Sequence, residues 1–380
     1  MPAPRTSRRY PYVSLLLLIL LGCGLGARRL ADSHLRALSM LVRFSDPQTH
    51  GFAGSFATHP VTEEVATAQT PGGPLKYRMF TPKDIAHPPS ILLLHGVHHL
   101  GIDDPRLINL SRAMAMSGVQ IIAPELKDLT EYHVTPETVD VIGNSAVYFS
   151  QRSGRRVGVI GLSFAGGLAL IAASRPEYAD KMGFVLAVGA HDSMTRVANF
   201  FASDMLVRPD GSREHFQAHE YGVLILAYSH LEDFFSARDM QPAHDCLRKR
   251  LWELPSVPEC GLTKQGQTEM DLLVNHREQL EQPMLQMIAR HQDEMDAVSP
   301  SGKMSALHVP VYLLHGAGDS VIPPSESLWL AQDIPHDDLR AVLISQALVH
   351  VDMDKKVTFS DEWALVDFMA KVLSAADGLR

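Results

Sequence analysis

Val157-Gly158-Val159-Ile160-Gly161-Leu162-Ser163-Phe164-Ala165-Gly166-Gly167 is the stretch from which the rest of the chain can be read. Branched apolar residues predict a short buried strand, and the glycines at its end predict a sharp turn. Phe164 to Ser174 predicts a helix that begins at once and is stopped by Pro176. Such a turn lifts the Ser163 hydroxyl clear of the backbone and aims the first amides of the helix at the space beside it. A serine hydroxyl is a weak nucleophile until a base takes its proton, so the arrangement suits acyl transfer. The usual spelling is Gly-x-Ser-x-Gly, whereas Gly161-Leu162-Ser163-Phe164-Ala165 carries alanine in the last place. Both flanking positions are expected to be small because the turn presses them against neighbouring strands, and alanine adds one methyl. A Gly-rich strand end opening a helix can also cradle phosphate, but a Walker-type loop needs Gly-Lys-Ser/Thr, and no lysine stands here.

Three further segments fall in a telling order. Ile91 to Leu94 predicts a buried strand ending in His95-Gly96-Val97, a turn that can point a backbone amide back at Ser163. Pro310 to Leu314 predicts another, ending in His315-Gly316-Ala317-Gly318-Asp319, which puts a carboxylate on the loop past the strand. Ala341 to Ile344 precedes Leu348-Val349-His350, so a histidine follows one last strand. Serine, acid and histidine in this chain order, each on a loop at a strand's carboxyl end, resemble the α/β-hydrolase family from about Gly73 to the C-terminus. The resemblance implies an α/β fold with a mostly parallel, doubly wound sheet and a helical cap inserted after the sixth strand. It implies Ser163 as nucleophile, His350 as general base and acid, and Asp319 orienting the imidazole. By the same resemblance the amides of Val97 and Phe164 form the oxyanion hole. Asp192 rivals Asp319, because some members of the fold carry the acid after the sixth strand. His95 and His315 read as structural histidines at strand ends.

Along the chain, strands are predicted over Val61 to Gln69 and Leu75 to Phe80, with a turn at Thr70 to Pro74 making a hairpin. Helices are predicted over Pro105 to Ser117 and Pro136 to Gln151, with a strand at Gln120 to Ala123 between them and another at Phe184 to Val188. From His191 to His308 the strand pattern stops, and helical runs appear at Thr195 to Val207, Tyr221 to Phe235 and Met270 to Val298. The expected division is a signal peptide over 1–22, a tether or amphipathic helix over 23–60, hydrolase core over 61–190, cap over 191–308 and core again over 309–380. The cap is expected to lie over Ser163. Eight of the sixteen methionines fall in that cap, where they can either fill gaps between helices or line an adaptable apolar pocket.

The amino terminus predicts export. Arg5, Arg8 and Arg9 precede the apolar run Val13 to Leu21, which fits a signal-peptide core better than a bilayer span. Leu20-Leu21-Gly22-Cys23 resembles the bacterial lipobox, in which the cysteine is lipidated and becomes the first residue. A plain secretory signal and an uncleaved anchor stay open beside that reading. All three place the chain outside the cytoplasm, in two cases at a membrane. Cys246 and Cys260 remain as an even pair, either free thiols or a bridge that stabilises by about 3 kcal/mol in the chain-entropy model.

With 380 residues, 46% hydrophobic and 20% charged, the chain can bury a large core plus an accessory unit. A formal charge of −9 with no basic stripe argues against nucleic acid as a partner. His98 and His99 near Asp103 and Asp104, and His191-Asp192, invite a metal reading. Adjacent histidines point apart on most backbones and no third ligand has helical spacing, so no metal or cofactor is expected. The expected reaction is hydrolysis of a carboxylic ester of a small acyl substrate through an acyl-enzyme. Thioesterase, lipase and peptidase activities share the same parts, and a non-catalytic binding protein on this fold is the competing class. A prolyl-oligopeptidase-type propeller does not fit in the roughly fifty residues before the sheet, and a dehalogenase would carry aspartate in place of Ser163.

Overall fold

The computed structural model of the chain describes residues 30–49, 51, 54, 56, 58–252, 260–348 and 357–379. The expected leader with Cys23, and His350, lie outside the described residues. The strands in chain order are β1 (Val61–Thr70), β2 (Gly73–Pro82), β3 (Ser90–Leu94), β4 (Gln120–Pro124), β5 (Val157–Leu162), β6 (Met182–Val188), β7 (Met205–Val207), β8 (Arg213–His215), β9 (Val311–Gly316) and β10 (Leu339–Ser345). Eight of them form one sheet in the order β1-β2-β4-β3-β5-β6-β9-β10. β1 and β2 are an antiparallel hairpin, β2 meets β4 antiparallel, and every pairing from β4 to β10 is parallel. A helix over residues 30–45, α1, precedes the sheet. The core helices are α2 (Pro105–Met116), α3 (Lys127–Thr130), α4 (Pro136–Ser153), α5 (Phe164–Ser174) and α6 (Pro176–Ala179).

Alternate residues of the central strands supply two cores, since successive side chains leave a strand on opposite faces. Leu92 and Leu94 of β3, with Val157 and Val159 of β5, pack with α4 and α5. Ile91 and Leu93 of β3 pack on the other face with Ala37 and Met40 of α1, Met114 of α2 and a C-terminal helix. All eleven residues of α5 are buried. Helix starts are written in the sequence. Asp104 accepts the Arg106 N–H with Pro105 in the first turn, and Thr135 accepts from Thr138 N–H with Pro136 next to it. Such caps each contribute about 1 kcal/mol. Gly154 closes α4 in the left-handed region at φ 68°. Of the tether or amphipathic helix expected over 23–60, the described part contains the helix α1, which is docked on the core: it buries Ala37 and Met40, and Arg36 donates to the Ser117 carbonyl at 2.7 Å and to Asp377 at 2.5 Å.

Between β6 and β9 the chain makes α7 (Met194–Ser203), α8 (Glu220–Ser229), α9 (Met240–Leu251), α10 (Lys264–Asn275), α11 (Glu281–Arg290) and α12 (Gln292–Ala297). Two expectations fail here. The run Thr195 to Val207 is not one helix: α7 stops where Asp204 adopts φ 56°, and β7 then pairs antiparallel with β8. Asp204 is held in that turn by the Ala218 N–H at 2.7 Å and by the Arg277 guanidinium. Met270 to Val298 is likewise broken, at His276 and His291, into three helices joined by short turns. Met284, Met287 and Met295 are buried in the packing of these helices. Cys246 on α9 and Cys260 face each other with Cα atoms 5.9 Å apart, a span a disulfide can close. The chain ends with α13 (Ser325–Asp333) before β10 and α14 (Phe359–Asp377) after it. Among the described residues no helix is long and apolar enough to cross a membrane.

Gly158 on β5 faces Phe184 on β6, and a Cβ there would sit 2.4 Å from the ring. Gly158→Ala should therefore destabilise by about 1–3 kcal/mol through overpacking. Phe184→Leu in the same chain should recover part of the loss. Strictly additive penalties in urea denaturation would show that the ring is not what fills the space.

Candidate active site

Ser163 sits between β5 and α5 with φ 56° and ψ −134°. For a non-glycine residue this conformation costs on the order of 1–3 kcal/mol and persists only where its surroundings enforce it. They do. Its N–H donates to the Val188 carbonyl at 2.7 Å and its carbonyl accepts from Gly166 at 2.9 Å. Ser163 stays partly exposed between buried Gly161 and buried Phe164.

The close contacts around the turn differ in detail from those expected. A Cβ on Gly161 would lie 2.5 Å from the Gly166 Cα, so Gly161 presses on α5 itself and not on a neighbouring strand. The contact with β6 is made one turn on, by Gly166, whose Cβ would stand 2.8 Å from the Ala190 Cβ and 3.4 Å from the Ala187 Cα. The alanine at position 165 is tolerated because Gly166 takes the tightest place.

Asp319 lies three residues beyond β9. Its Oδ1 accepts from the N–H groups of Val321 and Ile322 at 2.9 and 3.0 Å, which fixes the carboxylate plane. Its Oδ2 faces Gly189, where a Cβ would come within 3.2 Å. Val188 holds Ser163 and the next residue, Gly189, borders Asp319, so nucleophile and acid candidates flank the same strand end. Leu348 passes the base of the acid loop: a Cβ on Gly316 would meet its carbonyl oxygen at 2.6 Å. The chain two residues before His350 is thus at the acid loop.

The loop after β3 closes on the serine from the other side. Gly96 backs onto it, with a Cβ there placed 3.2 Å from the Ser163 Cβ. The Gly96 carbonyl meets Nδ1 of His95 at 2.8 Å, and in a trans peptide the Val97 N–H points the opposite way. No described residue accepts a hydrogen bond from the N–H of Val97 or Phe164. The Val97 carbonyl accepts from the Tyr221 hydroxyl at 3.0 Å. Tyr221, on α8, is a residue the sequence reading did not single out. A second tie joins the His219 N–H to the Ser320 carbonyl at 2.8 Å. The inserted helices therefore rest on both loops that border Ser163. A cavity of about 530 Å³ opens between them and the acid loop, lined in part by His219, Val223, Leu273, Arg277, Gly318 and Ser320.

Asp192 has other work. Its Oδ2 takes the Arg196 guanidinium at 2.7 Å, and Arg196 also reaches Glu326 at 2.5 Å. Fully buried Glu326 accepts the N–H groups of Asp192 and Ser193, both at 2.9 Å, tying α13 to the start of the insertion. Burial, then the charge of Glu326, pushes the Asp192 carboxyl up to about 6 against the pull of Arg196. His191 is buried beside it, its Nε2 on the Val298 carbonyl at 2.9 Å, and burial lowers its pKa. His95 accepts the Leu126 N–H at Nε2, and His315 bonds Ser327 and the Ile322 carbonyl. Both serve the framework.

Contrary to the expectation that they point apart, the rings of His98 and His99 come within 4.6 Å. Asp104 beside them caps α2, and Asp103 pairs with Arg78. A second group, His230, Glu232, Asp233 and His291, gathers in the insertion with its ligand-type atoms within 4.8 Å of one another. There Asp233 pairs with Arg290 through one oxygen and with His291 at 2.7 Å through the other.

No protein-family model matches the chain, and no curated protein matches it. Among solved structures it is similar to a serine hydrolase from Cycloclasticus zankles, at 14% identity and a TM-score of 0.41 over 74% of this chain and 89% of that one. It is similar to the meta-cleavage product hydrolase from Pseudomonas fluorescens, at 17% and 0.40 over 73% and 88%. An acylaminoacyl peptidase from Pyrococcus horikoshii matches at 12% and 0.44, over 83% of this chain and 41% of that longer one. Likenesses this distant add nothing to what the sheet shows. The mostly parallel eight-stranded sheet, the elbow after β5 and the helical insertion after β6 are the α/β-hydrolase fold.

The two acids separate by experiment. A carboxyl whose folded pKa is raised contributes stability below its ordinary value of about 4, and that contribution is lost as pH rises through about 6. Asp192→Asn should therefore flatten the dependence of the urea midpoint on pH over this window and leave kcat within a few-fold. Asp319→Asn should cost up to about 10⁴ in kcat by favouring the wrong imidazole tautomer. The reverse pattern would move the acid role to Asp192.

Proposed function

We propose that the protein is a serine hydrolase that cleaves a carboxylic ester, or a related acyl bond, through an acyl-enzyme. The observation that carries the reading is Ser163 held at φ 56° between a buried strand and a fully buried helix, a strained position that leaves its side chain partly exposed. In this reading Ser163 Oγ attacks the acyl carbonyl as His350 takes its proton. Asp319, one oxygen already fixed by two amides, orients the imidazole with the other. The N–H groups of Val97 and Phe164 hold the oxyanion. Collapse expels the alcohol, protonated by His350. Water then gives a proton to His350 and attacks the acyl carbon, and His350 returns that proton to Ser163 Oγ as the acid product leaves. The scheme balances with water as the only co-reactant.

An alkyl fluorophosphonate should label the protein, and Ser163→Ala should abolish the label and lower kcat on p-nitrophenyl esters by orders of magnitude while the unfolding midpoint holds. Labelling that survives the substitution removes Ser163 from the role of nucleophile.

The leader supports a proposal about place. Arg5, Arg8 and Arg9, the run Val13 to Leu21 and the Leu20-Leu21-Gly22-Cys23 end favour export, with Cys23 lipidated as the first mature residue. Two acyl chains suffice for stable anchoring where one is marginal. Mass spectrometry of the mature amino terminus should find a lipidated Cys23, and Cys23→Ser should block that processing. An unmodified start beyond Cys23 would leave a plain secretory signal.

A further inference from the structure

One surface of the folded chain is at odds with a protein bathed in water. Phe359 is 77% exposed, Leu30 61% and Trp363 48%. They are contiguous. Phe359 and Trp363 are one turn apart on α14 with rings stacked at 6.3 Å, and Trp363 stacks on His34 of α1 at 5.9 Å. His34 in turn bonds the Leu30 carbonyl at 2.7 Å and Asp367 at 3.1 Å. Val357, also exposed, precedes Phe359. Singly exposed apolar residues are ordinary, but a joined patch of this kind marks an interaction site. Its tie to the body is firm, because Arg36 anchors α1 to Ser117 and to Asp377.

The chain outside the described residues indicates what covers the patch. Six residues separate Cys23, the lipid-bearing residue of the leader reading, from Leu30. Fully extended they span at most about 25 Å, so wherever the lipid on Cys23 enters a bilayer, the Leu30 end of α1 is held near it. Tryptophan and phenylalanine beside such a junction suit the headgroup level, where an aromatic ring meets both apolar and wet surroundings. Asp32, Asp361 and Glu362 stand among the patch residues, and Arg28-Arg29 and Lys355-Lys356 immediately precede Leu30 and Val357 in the sequence, so the charge beside it is of both signs and the apolar contact is what the proposal rests on.

We propose that Leu30, Val357, Phe359 and Trp363 form a face that seats the folded domain on a lipid bilayer, beside the amino-terminal attachment; the proposal rests on the leader reading above. The face has a direction. Leu379, past the end of α14, lies against Gly183 at the start of β6, so α14 runs from the carboxyl edge of the sheet at Phe359 to the amino edge. Ser163 follows the carboxyl end of β5. Docking by this face brings the edge that carries Ser163 to the bilayer side, where an ester dissolved in the membrane is within reach.

The test uses the full chain with vesicles of phosphatidylcholine whose acyl chains carry bromine, which quenches tryptophan on contact. Wild-type emission should lose a component that Trp363→Phe lacks altogether, and Phe359→Asp should abolish that loss. Co-sedimentation with the vesicles, governed by the leader, should persist in all three. If the chain sediments with vesicles but wild type and Trp363→Phe are quenched alike, the face is refuted and the leader reading stands. If the chain does not sediment and Trp363 is not quenched, both fail together. A lipid-free dimer that Phe359→Asp dissociates overturns the bilayer in favour of a second copy. Fluorophosphonate labelling of Phe359→Asp at the wild-type rate keeps these outcomes separate from the fate of Ser163.

Discussion

The close approach of α5 to the end of β5 sets the terms for everything around it. A helix with all eleven residues buried cannot be reached through a relaxed loop, because the chain must turn within one residue and then lie flat on the sheet. Gly161 against Gly166 and Gly166 against Ala190 make that approach possible, and the residue at the corner is forced to positive φ. The strain at Ser163 is offset by α5, which covers the sheet from Leu168 to Ala173 and is pinned by the Val188 carbonyl. Position 163 therefore belongs to the architecture first. The chemistry proposed for it would use a position that packing has already fixed, with the loops after β3 and β9 meeting it there.

How much of this was legible follows from how local each signal is. The elbow could be read because strand, glycines and helix sit within eleven residues, and the loops that carry Ser163 and Asp319 because each follows an apolar run of strand length. Helix starts at Asp104-Pro105 and Thr135-Pro136 carry their own caps. The inserted segment resisted because its breaks are tertiary. Asp204 ends α7 through Arg277, seventy-three residues away, and no glycine or proline announces the stop. The turn at His276 to Leu280 is likewise free of such residues. The sequence favoured Asp319 over Asp192 only through the resemblance. Both follow a strand, and the groups facing them differ: two backbone amides on one oxygen and the His315 ring at 3.7 Å from the other at Asp319, an arginine and a buried glutamate at Asp192.

The Asp192, Arg196 and Glu326 cluster also shows how the insertion is kept in register with the core. A wholly buried carboxylate is tolerated when donors surround it, and Glu326 has two backbone N–H groups and the Arg196 guanidinium. These contacts fix the first turn after β6, the point at which the inserted helices leave the sheet. The geometry at that root is ionic, whereas farther along the insertion meets the core through neutral hydrogen bonds, at Tyr221, His219 and Tyr132, and through the packing of Tyr132 against Tyr221 and Tyr228.

The Tyr221 hydroxyl holds the carbonyl of Val97, the residue proposed above as an oxyanion donor. In that reading the inserted helices brace the β3 loop, so a substitution on α8 would be felt at the proposed amide cradle without touching Ser163. The brace does not stand alone: Tyr132, on the segment after β4, donates to the Leu251 carbonyl and its own carbonyl accepts from Ser229, so the same helices are fastened to the core on a second side.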